Sequence, residues 1–382
     1  MIGAPSVRIS RGIHRHTLVT RVGESPQSNR HASLPFALPA RPKVRRLREE
    51  SAKHATMRTQ QMAGFEDRFT DIVDYIVRIT DEIWIDRAVG YIYNTYDPSC
   101  VIYSSYGVVR SVEDVIAGTL STLNAFPDGS IEHLNVAWSG DDQDGFYTSH
   151  LGHSRSVNLG QSSFGPGTGR RTSIRFAADC VSHNNRIHTE WLVRDNGAAV
   201  RQLGFDRHEV AQALAATETP EQVIVAPRQR DSGRSSPQSS QAEPSTIADW
   251  ACSLYRHLFA ERRLDRVDRY YADEAVIHAS GGRIAKGPRD IQTLFIHLLS
   301  AIVDSDFRVD NVCHSDESDG VIVAVRWVLE GRTAPGGFLG QCPAGRPVRM
   351  MGISHLRLVG PKVVEEWMLF DEIGVLVQAY RQ

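Results

Sequence analysis

From Phe65 onward, apolar residues at Phe69, Ile72, Val73, Ile76, Ile79 and Ile83 recur at steps of three and four, which places them on one stripe of an amphipathic helix. A second helix is predicted from Ser111 to Leu123, with Ser111 as N-cap and Asp114 in its first turn. After Pro127 the pattern turns β-like in the runs "IEHLNVAW", "GFYTSHLGHSRSVN", "RRTSIRFAADCVS" and "RIHTEWLVRD", which are divided by turn-forming stretches such as "SGDDQDG" and "SHNN". Helices followed by a meander of strands predict an α+β fold, with a curved antiparallel sheet wrapped by N-terminal helices.

The programme then restarts. Residues 216–245 are rich in Pro, Ser and Gln and predict a flexible linker. Beyond them, Ile247, Trp250, Ala251, Leu254, Tyr255, Leu258 and Phe259 form a new helical stripe. "GPRDIQTLFIHLLSAI" predicts the next helix, with Pro288 early in it, and "GVIVAVRWVLEG", "RPVRMMGISHLRLV" and "KVVEEWMLFD" supply strands. At an offset of 176 residues, Glu190, Trp191, Asp195 and Gln202 fall on Glu366, Trp367, Asp371 and Gln378, and Asp114, Asn135 and Arg170 fall on Asp290, Asn311 and Arg346. Matches held in one register over so long a span predict a tandem duplication, with one domain over 63–215 and a second over 246–382.

Composition adds little to this and removes several alternatives. A formal charge of -2 over 382 residues supplies no overall field for nucleic acid or membrane, and neither partner is expected. Residues 1–62 are basic, acid-poor and without apolar periodicity, and are expected to be disordered. They read either as a transit peptide or as sequence upstream of a start at Met57 or Met62. The 5 cysteines contain no C-x-x-C, which argues against a disulfide framework or a zinc site and fits a cytoplasmic location. "FGPGTGRR" lacks the G-K-[ST] of a phosphate loop and predicts a hairpin turn. No metal or organic cofactor is expected.

The phrases "KGPRDI", "VRWVLEGRTAPGGFLGQCPAGRPVRMMGISHLRL" and "KVVEEWMLFDEIGVLVQ" resemble the SnoaL-like polyketide cyclases, also called ester cyclases, of the nuclear transport factor 2-like superfamily. "FGPGTGRRTSIRF" and "RIHTEWLVRDNGAAVRQLG" are similar to the same family in the first half. The resemblance implies a cone in each half, formed by a strongly curved sheet around a ligand pocket. It also implies an Asp in the closing strand that removes a proton alpha to a carbonyl, assisted by a His on the neighbouring strand, with aldol closure of a small carbonyl or ester substrate. Asp371 matches that Asp and His355 lies on the preceding strand, whereas Asp179 stands at the offset position of His355 in the first half.

Strand alternation puts Trp191, Val193 and Asp195 on one face and Glu190, Leu192 and Arg194 on the other. If the first face looks into the cone, Asp195 and Asp371 sit on an apolar pocket wall, where desolvation suits a carboxylate to acid/base work. The expected catalytic residues are therefore Asp371, His355 and Asp195. The expected substrate-binding residues are Trp367, Trp191, His150 and Arg326, the last two because the offset aligns them, and Glu190 and Glu366 are expected to face outward. The alternative reading is a pair of non-catalytic binding or dimerisation modules, joined as an internal pseudo-dimer, or a homodimer, through the sheet faces.

Overall fold

The computed structural model describes residues 58–105, 107–217, 246–318 and 320–381. The expected basic N-terminal segment and the expected linker lie almost wholly outside the described residues. In the first half, helix α1 (Ile72–Trp84) leads into strands β1 (Tyr96–Ser104) and β2 (Gly107–Val109), helix α2 (Val112–Ala125), strands β3 (Ser130–Asp141), β4 (Gly145–Val157), β5 (Arg171–His183) and β6 (Arg186–Arg194), and helices α3 (Asn196–Leu203) and α4 (Arg207–Thr217). Ser111 caps α2 by accepting from the Asp114 backbone N–H at 3.2 Å. The second half repeats the plan with α5 (Ile247–Tyr255), β7 (Tyr271–Ala279), β8 (Arg283–Lys286), α6 (Gly287–Ala301), β9 (Ile302–Glu317), β10 (Gly320–Thr333), β11 (Pro347–Val359), β12 (Lys362–Phe370) and α7 (Glu372–Tyr380). Among the described residues no helix is long and apolar enough to cross a membrane.

The strands run in the order β2-β1-β6-β5-β4-β3-β9-β10-β11-β12-β7-β8, a sequence that reads the same from both ends once equivalent strands are matched. Along the sheet, β3 and β9 of the two halves meet at a bridge between Trp138 and His314. Most pairs are antiparallel, but β1 pairs β6 and β7 pairs β12 in parallel. These parallel strands were not anticipated: "YDPSCVIYS" lacks clean alternation, and its pairing partner lies about 90 residues away.

Small repeated devices hold the two copies in the same form. Gln202 brackets the backbone of Ser173, accepting from its N–H at 2.6 Å and donating to its carbonyl at 3.1 Å. Gln378 does the same to Arg349 at 2.9 Å for both bonds. The gapless offset nevertheless fails in one strand. Ser149 opposes Asp179 and Ala324 opposes His355, so β4 and β10 correspond at 175 residues while β5 and β11 correspond at 176. The turn before β10 is one residue shorter, and His150 is therefore equivalent to Val325 rather than to Arg326.

That shift also pairs two size exchanges inside the cones. In the first half Gly152 lies opposite Phe176, and in the second Trp327 lies opposite Gly352, so the bulky side chain changes strands. A Cβ at Gly152 would sit 2.4 Å from the Phe176 ring. Gly152→Ala is expected to cost about 1–3 kcal/mol in denaturant melts through overpacking.

The second cone is filled. Phe307 stacks on Trp327 at 5.4 Å and on Tyr255 at 5.5 Å, and Phe259 packs on Phe295 at 4.8 Å. Trp327, Tyr255, Phe295 and Tyr271 are at most 1 % exposed.

The other faces of the two halves of the sheet pack against each other. Leu151, Ala177, Trp191 and Val193 of the first half form one apolar cluster with Met351, Ile353, Trp367 and Leu369 of the second. Within this seam lies a buried polar network. Arg326 donates to Tyr147 Oη at 2.8 Å and Asp179 Oδ2 at 3.3 Å, and its Cζ lies 3.7 Å from the Trp191 ring centroid. His355 meets Asn135 through Nδ1 and Ser149 Oγ through Nε2, the latter at 2.9 Å.

Candidate functional site

The concave side of the first half encloses a cavity of about 500 Å³, within the size range of small-molecule sites. Helix α1 lines it with Ile76, Ile79 and Ile83, α2 with Val115 and Thr119, and the sheet with Ile102, Phe176 and Leu192. The apolar stripes read from the sequence thus form its walls, and curvature of the sheet keeps those walls apart.

A chain of three polar side chains ends on this cavity. Asp81 on α1 lies 3.0 Å from His133 Nε2 on β3, and His133 Nδ1 lies 2.9 Å from His150 Nε2 on β4. The two rings stack with centroids 5.0 Å apart. A carboxylate only accepts, so His133 donates from Nε2 and accepts at Nδ1, and His150 donates from Nε2. That leaves a lone pair on His150 Nδ1, which has no hydrogen-bond partner among the described residues, on a ring that lines the cavity. Burial holds the pKa of His150 well below the ordinary histidine value.

Two more charged groups face the same space from β6. Burial raises the pKa of Glu190, and Tyr96 Oη donates to its Oε2 at 2.9 Å. Arg194 lines the cavity and places Cζ 5.9 Å from the Trp84 ring centroid.

The second half is an internal reference for these positions. Its equivalents of His133, His150 and Arg194 are Val309, Val325 and Phe370, as the shared strand registers establish. Only the glutamate is kept: Glu366 is fully buried under Tyr271, which donates at 2.6 Å, and burial raises its pKa to about 7. The fold therefore forms without the histidines or the arginine.

The expected faces of β6 and β12 are reversed. Trp191 and Trp367 belong to the apolar seam between the halves, whereas Glu190 faces the first-half cavity. Both faces of each strand are buried, one by the cone and one by the other half, so alternation alone could not tell them apart. Asp195 caps α3 by accepting from the Ala198 N–H at 3.0 Å, and also accepts from the Gly281 N–H across the seam at 2.9 Å. Asp371 caps α7 by accepting from the Ile373 N–H at 2.9 Å, and accepts from Asn196 Nδ2 at 2.7 Å. His355 also lies in the seam, and burial lowers its pKa to about 3. Arg326 lies there too, while His150 lines the cavity. The structure thus brings none of Asp371, His355, Asp195, Trp367, Trp191 or Arg326 together in a cone.

Asp81, His133, Glu190 and Arg194 were not singled out by sequence reasoning as site residues. A β-bulge between His133 and Asn135 turns the former to His150 and Asp81 and the latter to the seam, which hides the histidine pair from a period-two reading. In the "SHLGHS" run, His150 points inward and His153 outward, where it bonds Ser173 Oγ at 2.8 Å.

Burial raises the Asp371 pKa to about 7, so the folded state holds that proton more tightly than the unfolded chain does. Its contribution to stability therefore falls as pH rises through the window from about 4 to about 7. Asp371→Asn retains a capping oxygen. The variant is expected to lose that pH dependence in denaturant melts, to be more stable than wild type above the window, and to leave turnover unchanged.

Residues 251–379 match the family model described as SnoaL-like polyketide cyclase. Among solved structures, a protein from Jannaschia sp. CCS1 described as a SnoaL-like polyketide cyclase is 17% identical, with a TM-score of 0.31, and covers 34% of this chain and 90% of its own. IdmH from Streptomyces antibioticus is 23% identical with a TM-score of 0.29, covering 34% and 96%. A SnoaL-like polyketide cyclase from Agrobacterium tumefaciens is 14% identical with a TM-score of 0.29, covering 35% and 96%. No curated protein sequence is a significant match. The family match falls on the half whose cone is filled, and the cavity belongs to its first-half counterpart.

Proposed function

We propose that the first half is a cofactor-independent acid/base catalyst acting on a small carbonyl or ester substrate, and that the second half serves it as a packed structural partner. The observation that carries this reading is the Asp81–His133–His150 chain, which ends in a lone pair on an apolar cavity. His150 Nδ1 removes a proton from the carbon alpha to a carbonyl, and the electron pair moves onto the carbonyl oxygen. The positive charge that develops on the histidine pair is stabilised by the Asp81 carboxylate. Glu190, whose pKa burial raises, donates in its protonated form to the developing enolate oxygen. The enolate then regains a proton at another carbon, an isomerisation, or attacks a second carbonyl in the same molecule, an aldol closure.

The reading is tested by following deuterium exchange at the α-carbon of α-tetralone in D₂O by NMR. Exchange above the buffer rate supports it, and exchange at the buffer rate for this and other aromatic ketones that fit the cavity would sink it. In the kcat/KM profile, the acid limb is expected well below the ordinary histidine pKa of 6.5, because His150 stays unprotonated there. The alkaline limb is expected above the ordinary carboxylate value of 4.5, where Glu190 loses its proton.

A further inference from the structure

The position of Arg194 defines what one end of the substrate carries. It stands four residues beyond Glu190 on the same face of β6 and lines the cavity. The equivalent position in the second half is Phe370, 2 % exposed, so this place in the fold accepts an apolar side chain and does not require a cation. A guanidinium stays charged at all working pH values and presents a planar fork that matches a carboxylate. Here it lies beside the Trp84 ring, which also lines the cavity and offers an apolar surface next to the charge. The wall also carries aliphatic residues such as Ile76, Ile83 and Leu192, and hydroxyl groups such as those of Thr119 and Ser154.

We propose that the cavity selects an apolar carboxylic acid, whose carboxylate pairs with Arg194 and whose body lies against the isoleucine-rich wall formed by α1. The inference deepens the acid/base reading by naming the substrate class, and its test reads binding alone. With the full chain, calorimetric titration compares 2-naphthoic acid with 2-naphthamide, two ligands of the same shape that differ in charge. The acid is expected to bind at least ~10-fold tighter, the size of one charge-assisted contact.

Arg194→Met is expected to remove that preference and leave amide affinity unchanged, and Arg194→Lys to retain part of it. His150→Val is expected to leave the preference intact. Equal binding of acid and amide to the wild type, a preference that survives in Arg194→Met, or binding of neither compound would each overturn the proposal. The wild-type comparison decides the matter even if a variant fails to fold. Ketone exchange without acid preference removes the Arg194 assignment alone, and acid preference without exchange removes the catalytic reading alone.

Discussion

His150→Val is expected to reduce turnover by about 10²–10⁴-fold, the usual contribution of a positioned general base, while the protein remains folded. Valine already occupies the equivalent position in the second half as Val325, so the substitution asks the first half to carry a side chain that this fold accommodates. Asp81→Asn is expected to leave ligand affinity in place and lower kcat. The amide can donate to His133 Nε2, which then accepts and directs its proton to Nδ1, so that His150 no longer donates from Nε2. Single-turnover rates, together with the circular dichroism of both variants, check the expectation. A His150→Val protein that is folded and turns over at the wild-type rate would remove the base from the mechanism.

Arg326→Met is expected to lower global stability by about 3–5 kcal/mol, because it leaves the Asp179 carboxyl, whose pKa burial already raises, in the seam without its cationic partner. Both groups are nearly inaccessible, at 4 % and 1 % exposure. Asp179 is held by Arg326, by Tyr147 and by Ser149 Oγ at 2.5 Å. Loss of the guanidinium also uncovers the Trp191 ring on which it lies. The double variant Asp179→Leu with Arg326→Met is expected to regain most of the loss, since replacing both members of a buried pair by apolar groups is close to neutral. Guanidinium melts of the three proteins measure this. An additive double variant would show that the two residues do not act as a pair.

The repeated plan of the two halves was legible because it is written in residues that satisfy the backbone locally. Asp195 and Asp371 cap helices, and Gln202 and Gln378 bracket a neighbouring strand, so both copies keep them at one spacing. The same conspicuous residues drew attention as chemistry, although their hydrogen bonds are spent on helix ends and on the seam. The groups at the cavity and behind it were less visible. Asp81 lies within a helical stripe, His133 stands beside a bulge, and Glu190 was set aside with the outer face. The offset also obscured them, because the one-residue difference before β10 places His150 on Arg326 when no gap is allowed.

By itself, the sequence determined the α+β class, the repeated order of elements, most of the helices and strands, and the likeness of residues 251–379 to the SnoaL-like family model. These rest on local periodicity, on capping and on repetition, all of which act over a few residues or reappear unchanged at a constant distance. Tertiary structure alone decided which face of β6 looks into a cone, which cone stays open, and which polar residues meet. Each of these depends on how the two halves of the sheet curve and pack on both of their faces. A strand buried on both sides carries the same alternation in either orientation, and only the packing of side chains from several elements decides that aromatic rings meet inside the second half while the first encloses a cavity.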